Sequence, residues 1–464
     1  MSQLSIDCLS EIFKYLEKDI IALHSCLLVN TVWCGVSVRI LWSNVKNYNA
    51  LTFNTLITCL PDKSKKMLYK KKIIPVSTSK QPIFNYPSYC RVLSIHHIYY
   101  RIKEISLLTN CNKERIIKQE IFKLFMKQIP SLKKLYFHLD IPETKFISYP
   151  GAKDCLKNLS KLNCISHNIS ETSYQKLAQI CHNIQSIKIQ FDGNFTSKEL
   201  NGWRDLISVQ KNLKHLRILS SKRKNTDLLP LLTLTNLHNT LINFFFMGFN
   251  ISLSFIAKFT NLQELELSLR HEDYLDFEKL LITFSQLQIL NLQSCPRYEL
   301  LIKFLEINGK NLKEFYAGEM MGDCDNLLNL SIAKFCTNLR KLSIGFKNNE
   351  LETLKLIFNS CQYLESIKIW YGDTFLSEKD ALEASVNYSP KNIHELILYD
   401  LGNVQLKLLP KELESFFISW TNRIPQKSIS FIIVSFIKPN DEIIEIFEKY
   451  IKLGVIKKFA VQDD

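Results

Sequence analysis

The side chains that could do chemistry are histidines and cysteines, and two short clusters of them stand out. Cys181 and His182 are adjacent, and a thiol with an imidazole nearby is what a covalent cysteine nucleophile needs. His96 and His97 form a second pair, of a residue type that binds metal ions. However, Cys181 stands at a position that the repeat described below reserves for the core, and the histidines have no suitably spaced partners. The sequence therefore predicts neither a catalytic site nor a metal site.

Sequence motifs of cofactor-dependent enzymes are missing as well. The 12 glycines among 464 residues form no phosphate-binding loop, and GxSxG, HExxH and DxDxDG patterns do not occur. The 13 cysteines are odd in number and include no CxxC pair, so we expect reduced, mostly buried thiols. We therefore expect a protein that is not an enzyme and binds no cofactor.

Hydropathy and charge narrow the range of partners. No apolar run approaches the roughly 20 residues of a membrane-spanning helix, and Asp7 and Glu11 interrupt the amino-terminal apolar pattern, unlike a secretory signal. We expect a protein of the cytoplasm, the nucleus or both, without membrane contact. The net charge is +14, and the lysine run Lys63–Lys72 has the composition of a nuclear-import signal or a nucleic-acid patch. Because such runs are common, a solvated linker or helix face is the preferred interpretation, and nucleic acid is not the expected partner.

A repeated apolar pattern occupies most of the chain. The order apolar-x-x-apolar-x-apolar begins at Leu132, Leu159, Ile184, Leu213, Leu241, Leu262, Leu287, Leu312, Leu339, Leu364 and Ile393. The ten intervals between these eleven starts span 261 residues and average 26.1 residues, the length of a leucine-rich repeat with one strand and one helix. A twelfth match begins at Leu413, and residues 428–437 are expected to form a buried strand or core segment. Residues three positions before a repeat start are predicted to be core: Cys181, Phe259, Phe284, Cys336 and Cys361.

The pattern predicts an α/β fold, a leucine-rich-repeat solenoid over residues 90–464. Its parallel strands would line a concave face, with the helices outside, a first atypical repeat at 90–95 and a carboxyl-terminal cap within 439–454. Outward strand positions near the carboxyl end carry aromatic side chains, which are typical of interface hot spots. We predict a target-binding surface there, formed by Tyr316, Lys368, Trp370, Tyr399, Phe417 and Trp420. The alternative is that the cap folds over some of these side chains.

Residues 1–48 carry a different pattern. Leu9, Ile12, Phe13 and Leu16 follow the i, i+3, i+4, i+7 spacing of one apolar helix face, and Ser5 can cap that helix. Two further short apolar helices are predicted before residue 43. Three such helices make a core too small to be stable alone, so we expect another protein to cover their apolar surface.

The same residues resemble those of a known family. "LSIDCLSEIFKYL", with a Trp and a closing Leu-Trp further on, resembles the F-box, whose usual form begins L-P-x-E-x-L-x-x-I-F-x-Y-L. Ser5 replaces the proline of that form, and Asp7 replaces the glutamate. The resemblance implies docking on a Skp-type adaptor, and through it on a cullin. The adaptor-binding residues would be Leu4, Ser5, Leu9, Ile12, Phe13, Leu16, Leu27, Trp33, Leu41 and Trp42.

An F-box followed by irregular leucine-rich repeats is a recurrent family architecture. The resemblance implies a non-catalytic substrate-recognition subunit of a Skp–cullin–F-box ubiquitin ligase, whose repeats hold an unidentified protein target for ubiquitination. Residues 49–89, with the lysine run, would link the F-box of 1–48 to the repeats of 90–464. Two alternatives stay open. One is a repeat scaffold that binds a protein or nucleic-acid-associated partner without assembling a ligase, and the other is a repeat protein whose degenerate box binds nothing.

Overall fold

The chain folds into two compact units, Met1–Lys222 and Arg223–Asp464. The computed structural model describes residues 4–74, 82–105, 111–138, 144–166, 171–191, 196–224, 228–249, 251–269, 274, 276–318, 325–371, 374–400, 409–424, 427–435 and 439–462. No described helix is both long enough and apolar enough to cross a membrane.

In the first unit, five helices precede the first strand, and strands then alternate with helices. The elements are α1 Ile6–Lys14, α2 Ile20–Cys26, α3 Thr31–Leu41, α4 Ala50–Thr58, α5 Asp62–Lys70, β1 Val92–Ser94, α6 Ile95–Ile105, α7 Cys111–Gln128, β2 Lys134–His138, α8 Ala152–Leu156, β3 Lys161–Ser166, α9 Glu171–Ile180, β4 Ser186–Phe191, α10 Ser197–Ser208 and β5 His215–Lys224. Strands β1 to β5 pair in parallel and in sequence order.

The second unit continues the alternation with nine described strands. Its elements are α11 Leu229–Leu232, α12 Thr235–His238, β6 Asn243–Phe249, β7 Glu264–Ser268, β8 Ile289–Leu292, α13 Tyr298–Asn308, β9 Glu314–Ala317, α14 Asn326–Phe335, β10 Lys341–Gly345, α15 Leu351–Ser360, β11 Ser366–Tyr371, α16 Glu378–Tyr388, β12 Glu395–Asp400, α17 Pro410–Thr421, β13 Ile429–Val434, α18 Asp441–Lys452 and β14 Ile456–Gln462. Strands β6 to β14 also pair in parallel and in sequence order.

The leucine pattern creates the core because alternate strand residues point to opposite faces of a sheet. Leu135, Leu162 and Ile187, which are register neighbours on β2, β3 and β4, are fully buried. In the second unit the ring of Phe431 on β13 contacts Phe417 on α17 and Phe447 on α18. Consecutive helices α13 to α18 contact one another and form a second layer. The predicted leucine-rich-repeat fold is therefore confirmed, and so is the burial of the five residues predicted three positions before a repeat start.

A ladder of backbone hydrogen bonds stacks the repeats within each unit. One carbonyl near each strand start accepts hydrogen bonds from two successive amides of the next repeat, with N···O distances of 2.7–3.2 Å. The acceptors are Ser43, Arg91, Lys133, Ser160 and Gln185 in the first unit, and Ile242, Gln263, Gln288, Lys313, Arg340 and Glu365 in the second. Because the ladder uses backbone groups alone, repeats of dissimilar sequence can stack in the same register.

Two buried amide side chains support this stacking on the helical side. Gln210 accepts a hydrogen bond from the Ile184 amide at 2.9 Å and donates to the Cys181 carbonyl at 2.7 Å. Asn308 does the same in the second unit, where it accepts from the Phe284 amide at 2.7 Å and donates to the Ile282 carbonyl at 2.9 Å. Each side chain thus pairs backbone groups of the preceding repeat that burial would otherwise leave unpaired.

The described parts of residues 49–89 form helices and not a simple linker. Helices α4 and α5 lie there and bury Phe53, Leu56 and Leu68. The lysine run falls mostly on α5, where Lys63 and Lys70 are exposed on the helix surface. Lys65, in contrast, is buried, with Nζ 3.1 Å from Asp62 and 3.3 Å from the Thr58 carbonyl. The boundaries proposed at 48 and 89 stay predictions.

The carboxyl end differs from the predicted order of elements. The strand predicted from Leu413 is wrong, because Leu413, Phe416, Phe417 and Trp420 have helical spacing and lie on α17, with Pro410 as its first residue. The expected strand within 428–437 is confirmed as β13. The predicted cap region 439–454 contains α18, and a further strand, β14, follows it.

The buried amide bridges give a test of the stacking. Replacing Gln210 with Ala leaves the Ile184 amide and the Cys181 carbonyl buried without partners, and each such group costs about 1–3 kcal/mol. We expect Gln210→Ala to lower the free energy of unfolding by about 2–4 kcal/mol, measured by urea denaturation, and to speed amide exchange at Ile184. The exposed neighbour Lys211→Ala serves as the control. Equal stability of the two variants would contradict the bridging role of Gln210.

Candidate functional site

The first three helices form a small element whose ends are set by local side chains. Ser5 caps α1 by accepting a hydrogen bond from the Cys8 amide at 3.2 Å. Asp19 caps α2 through the Ala22 amide at 2.9 Å, and Asn30 caps α3 through the Trp33 amide at 2.9 Å. Ser, Asp and Asn are preferred at these positions because their short side chains satisfy amides of the first turn. We call residues 4–42 the three-helix element.

Its core is small. Leu9 and Phe13 of α1 pack with Leu23, Cys26 and Val36 from the two other helices. The Phe13 ring meets the indole of Trp33 edge to face, with the ring centroids 5.1 Å apart. A core of this size cannot cover every apolar side chain that the element carries.

Several large apolar side chains of the three-helix element are therefore left in solvent. Tyr15 is 91% exposed, Leu28 88%, Ile21 82% and Ile12 49%. Leu4, Ile6, Ile20 and Val29 are exposed as well. We call these eight residues the apolar surface. Single exposed apolar residues are ordinary, but such a concentration on about 40 residues is typical of a protein interaction site.

The ten predicted adaptor-binding residues divide into three groups. Leu4, Ser5 and Ile12 are exposed, as a docking surface requires. Half-buried residues are Leu16, Leu27, Trp33, Leu41 and Trp42. Leu9 and Phe13 are each 2% exposed, so their assignment to a docking surface is wrong for this structure: they hold the three helices together. Their type and spacing fit either role, and only the packing of α2 and α3 decides between them.

Six residues of the apolar surface were not among the predicted adaptor-binding residues: Ile6, Tyr15, Ile20, Ile21, Leu28 and Val29. Tyr15 lies outside the i, i+3, i+4, i+7 set, and Ile21 is next to the apolar residues chosen for α2. Leu28 and Val29 follow the end of α2 and have no helical periodicity. A signal was available for this pair, because two large apolar residues in a short connection between helices have few neighbours that could bury them.

The three-helix element is fastened to the repeats of the first unit. The Ser43 carbonyl accepts hydrogen bonds from the Arg91 amide at 2.8 Å and the Val92 amide at 2.9 Å, the same pattern that joins one repeat to the next. The indole of Trp42 packs on Tyr86, with centroids 4.3 Å apart, and on Tyr48, at 4.9 Å. Half-buried Trp42 therefore has a structural task at this junction.

The second predicted site, for a target, does not form the expected exposed surface. Trp370 and Tyr399 are buried with Ile432 and Val434, and the Phe375 ring stands perpendicular to the Trp370 indole at 6.0 Å. The indole also lies over Gly345 on the neighbouring strand, where a Cβ would overlap it. The prediction that Trp370 and Tyr399 are exposed is wrong because later strands and a loop cover them.

The remaining target-binding candidates fall on different elements. Phe417 and Trp420 are buried on α17, and the Phe417 ring packs on Tyr450 of α18 at 4.9 Å, so the cap alternative is confirmed for this residue. Tyr316 and Lys368 are half-buried on strands, and the Lys368 ammonium lies 4.2 Å from the centre of the Tyr399 ring. The six residues therefore do not share one binding surface.

The two members of each candidate chemical pair, Cys181 with His182 and His96 with His97, differ in burial. Cys181 is buried while His182 is exposed, so the adjacent pair does not face one space. Burial raises the pKa of the Cys181 thiol to about 12. His97 Nε2 donates a hydrogen bond to the Tyr48 carbonyl oxygen at 3.0 Å, and burial lowers the pKa of His97, whereas His96 is exposed. Within the described residues no group of three or more His, Cys, Asp or Glu could hold a metal ion.

Comparison with known proteins returns similar structures only. No protein-family model matches the chain, and no curated protein matches its sequence. The leucine-rich repeat-containing protein LegL7 from Legionella pneumophila is 14% identical over 66% of this chain and 96% of its own, with a TM-score of 0.37. The TLR13–ssRNA13 complex is 15% identical over 72% of this chain and 44% of the other, with a TM-score of 0.36. The fold assignment rests on the periodicity of this chain itself.

Thiol labelling tests the burial pattern. Cys8 is exposed on α1, whereas Cys181 is buried and its raised pKa, about 12, disfavours the reactive thiolate. We expect iodoacetamide to modify Cys8 in the native protein and Cys181 only after unfolding in urea, measured by peptide mass spectrometry. Modification of native Cys181 as fast as Cys8 would contradict its core position and reopen a nucleophilic role.

Proposed function

We propose that this chain is a non-catalytic substrate-recognition subunit of a Skp–cullin–F-box ubiquitin ligase. The apolar surface on the three-helix element carries the proposal, because Ile12, Tyr15, Ile21 and Leu28 expose area that a partner protein can bury. The F-box resemblance names that partner as a Skp-type adaptor, which in turn binds a cullin. The repeats then hold a protein target.

The departures from the usual F-box sequence are compatible with this role. Ser5 stands where the family has proline, and its φ is −63°, inside the range that a proline ring fixes. Its hydroxyl also caps α1, which a proline side chain cannot do. Asp7 lies in the first turn of α1, where a carboxylate interacts favourably with the helix dipole. Both replacements are thus compatible with a capped helix that starts at Ile6.

In this role the chain needs no catalytic residue of its own. Holding a target and a ubiquitin-carrying conjugating enzyme on one frame raises their effective concentration. Transfer of ubiquitin to the target then becomes effectively intramolecular. The backbone junction at Ser43 supports the mechanism, because it fixes the docking element to the first repeats instead of leaving it on a flexible tether. Ubiquitin ligation of this kind would place the protein in the cytoplasm or nucleus.

Co-purification with a Skp-type adaptor tests the proposal. Ile12 and Leu28 are exposed, so Ile12→Asp with Leu28→Asp removes apolar contacts without opening the Leu9–Phe13 core. We expect the wild-type chain to form a stoichiometric complex and the variant to bind at least about 30-fold more weakly, as loss of interface hot spots does. Adaptor binding would be measured by calorimetry, and folding by circular dichroism.

A matched control separates docking from a general loss of apolar surface. Leu409 and Ile424 are also exposed apolar residues, but they belong to the second unit. Leu409→Asp with Ile424→Asp should bind the adaptor as the wild type does. A folded wild-type chain that forms no complex would overturn the proposal and favour a repeat scaffold that works without ligase assembly.

A further inference from the structure

The first unit has a sheet face of one charge sign. We call the side of the sheet opposite the buried leucines the open face. On β1 to β5 its described side chains are Val92, Ser94, Lys134, Tyr136, Lys161, Asn163, Ile165, Ser186, Lys188, Gln190, His215, Arg217 and Leu219. These include four lysine or arginine residues, and no Asp or Glu occurs among them. Such a face attracts anions.

The cations are placed beside one another at some cost in stability. Lys134 and Lys161 are register neighbours, and so are Lys188 and Arg217. Like charges directly opposite on adjacent strands, about 4.8 Å apart, are destabilising. Lys134, Lys161 and Lys188 make no ion pair with any described residue. An anion bound on the open face would relieve this repulsion.

The corresponding face of the second unit is different. Glu264, Glu266, Glu314 and Glu395 lie at its outward strand positions together with Lys341 and Lys368. Lys341 pairs with Glu314 at 3.1 Å. The cationic character is therefore a property of the first unit and not of the repeat as such.

The open face contains a cleft, and Lys188 is one of the residues that line it. It measures about 180 Å³ and is lined by Ser94, His96, Tyr136, Asn163, Lys188 and Gln190, together with Cys164 and Ile165. That volume is below the roughly 300–1,000 Å³ of pockets for drug-sized ligands, and it fits one side chain of a larger partner. Asn163 Oδ1 is buried there without a hydrogen-bond partner. An occupant should therefore offer both an anion to Lys188 and an N–H donor to Asn163.

A polypeptide meets these requirements better than a nucleic acid does. Stacking on aromatic rings is the usual way to bind single-stranded nucleic acid, but the Lys46 ammonium already covers the Tyr136 ring, 4.0 Å from its centre. Ile165 and Leu219 add half-buried apolar side chains to the face, which suit apolar residues of a peptide. A larger groove of about 300 Å³ between α16 and α17 is lined by both lysines and glutamates and has no such charge selection.

We propose that the open face of the first unit binds an extended polypeptide segment rich in Glu or Asp, with one acidic side chain in the cleft beside Lys188. The inference deepens the proposed function and rests on it in one respect, namely that the segment belongs to the target. The carboxylate would accept hydrogen bonds from the Lys188 ammonium, a backbone amide would donate to Asn163, and intervening apolar residues would contact Ile165 and Leu219.

Binding of short probes to the purified full chain tests this surface. The probe is a labelled peptide of about ten residues that alternates Glu with Leu or Thr, long enough to cross five strands spaced about 4.8 Å apart. The comparison probes have Gln in place of Glu, or are single-stranded RNA of similar length. By fluorescence anisotropy we expect the Glu peptide to bind at least about tenfold more tightly than the Gln peptide, and to weaken as salt is added.

Paired variants locate the site. Lys161→Glu with Lys188→Glu should weaken Glu-peptide binding at least about tenfold, whereas Lys153→Glu with Lys198→Glu, which makes the same charge change on exposed helix positions, should not. Equal weakening in both double variants, equal binding of Glu and Gln peptides, or no binding of the Glu peptide would overturn the inference. Tighter binding of RNA through the same lysines would replace the polypeptide by a nucleic acid.

The outcome is separable from that of the proposed function. Lys161→Glu with Lys188→Glu leaves the apolar surface intact and should co-purify with the Skp-type adaptor as the wild type does. Peptide binding without adaptor binding would remove the ligase role and keep the open face as a binding surface. Adaptor binding without peptide binding would remove only this inference.

Discussion

The structure depends on a backbone constraint that recurs at every described strand start from β1 to β5 and from β7 to β12. One carbonyl oxygen accepts hydrogen bonds from two successive amides of the next repeat. This pairing fixes the register of the strand that follows, so its leucines point toward the helices. Each repeat alone leaves its apolar side uncovered, so stability comes from stacking on neighbours. Because the ladder involves no particular side chain, outward positions are free to vary. That freedom lets the open face of the first unit be cationic while that of the second is mixed.

The same constraint fixes the three-helix element. Ser43 takes the place of a preceding repeat, and its carbonyl receives the Arg91 and Val92 amides. Lys46, just beyond the element, reaches the ring of Tyr136 on β2. The apolar surface and the open face thus belong to one compact unit, which is what an adaptor-bound recognition subunit requires if a target is to be held at a set place.

Sequence periodicity predicted most strands, because burial of one face every two residues leaves a direct trace. It misplaced Leu413 and Phe417, whose spacing fits a helix face as well as a strand. It also could not tell core from surface within the three-helix element, where Phe13 is buried and Ile12 beside it is exposed. Trp370 was assigned to the correct face, but burial on that face depends on Phe375, which lies just after β11, and on Ile432, which is distant in sequence. Alternation predicts the side of a sheet and not what covers it.

The central claim is that a partner covers the apolar surface while the repeats keep their structure. Hydrogen–deuterium exchange of the full chain, with and without a purified Skp-type adaptor, tests it most directly. The account predicts slower exchange in peptides from residues 4–29, with exchange of the strand amides unchanged. Unchanged exchange in residues 4–29, or protection confined to the repeats, would contradict it.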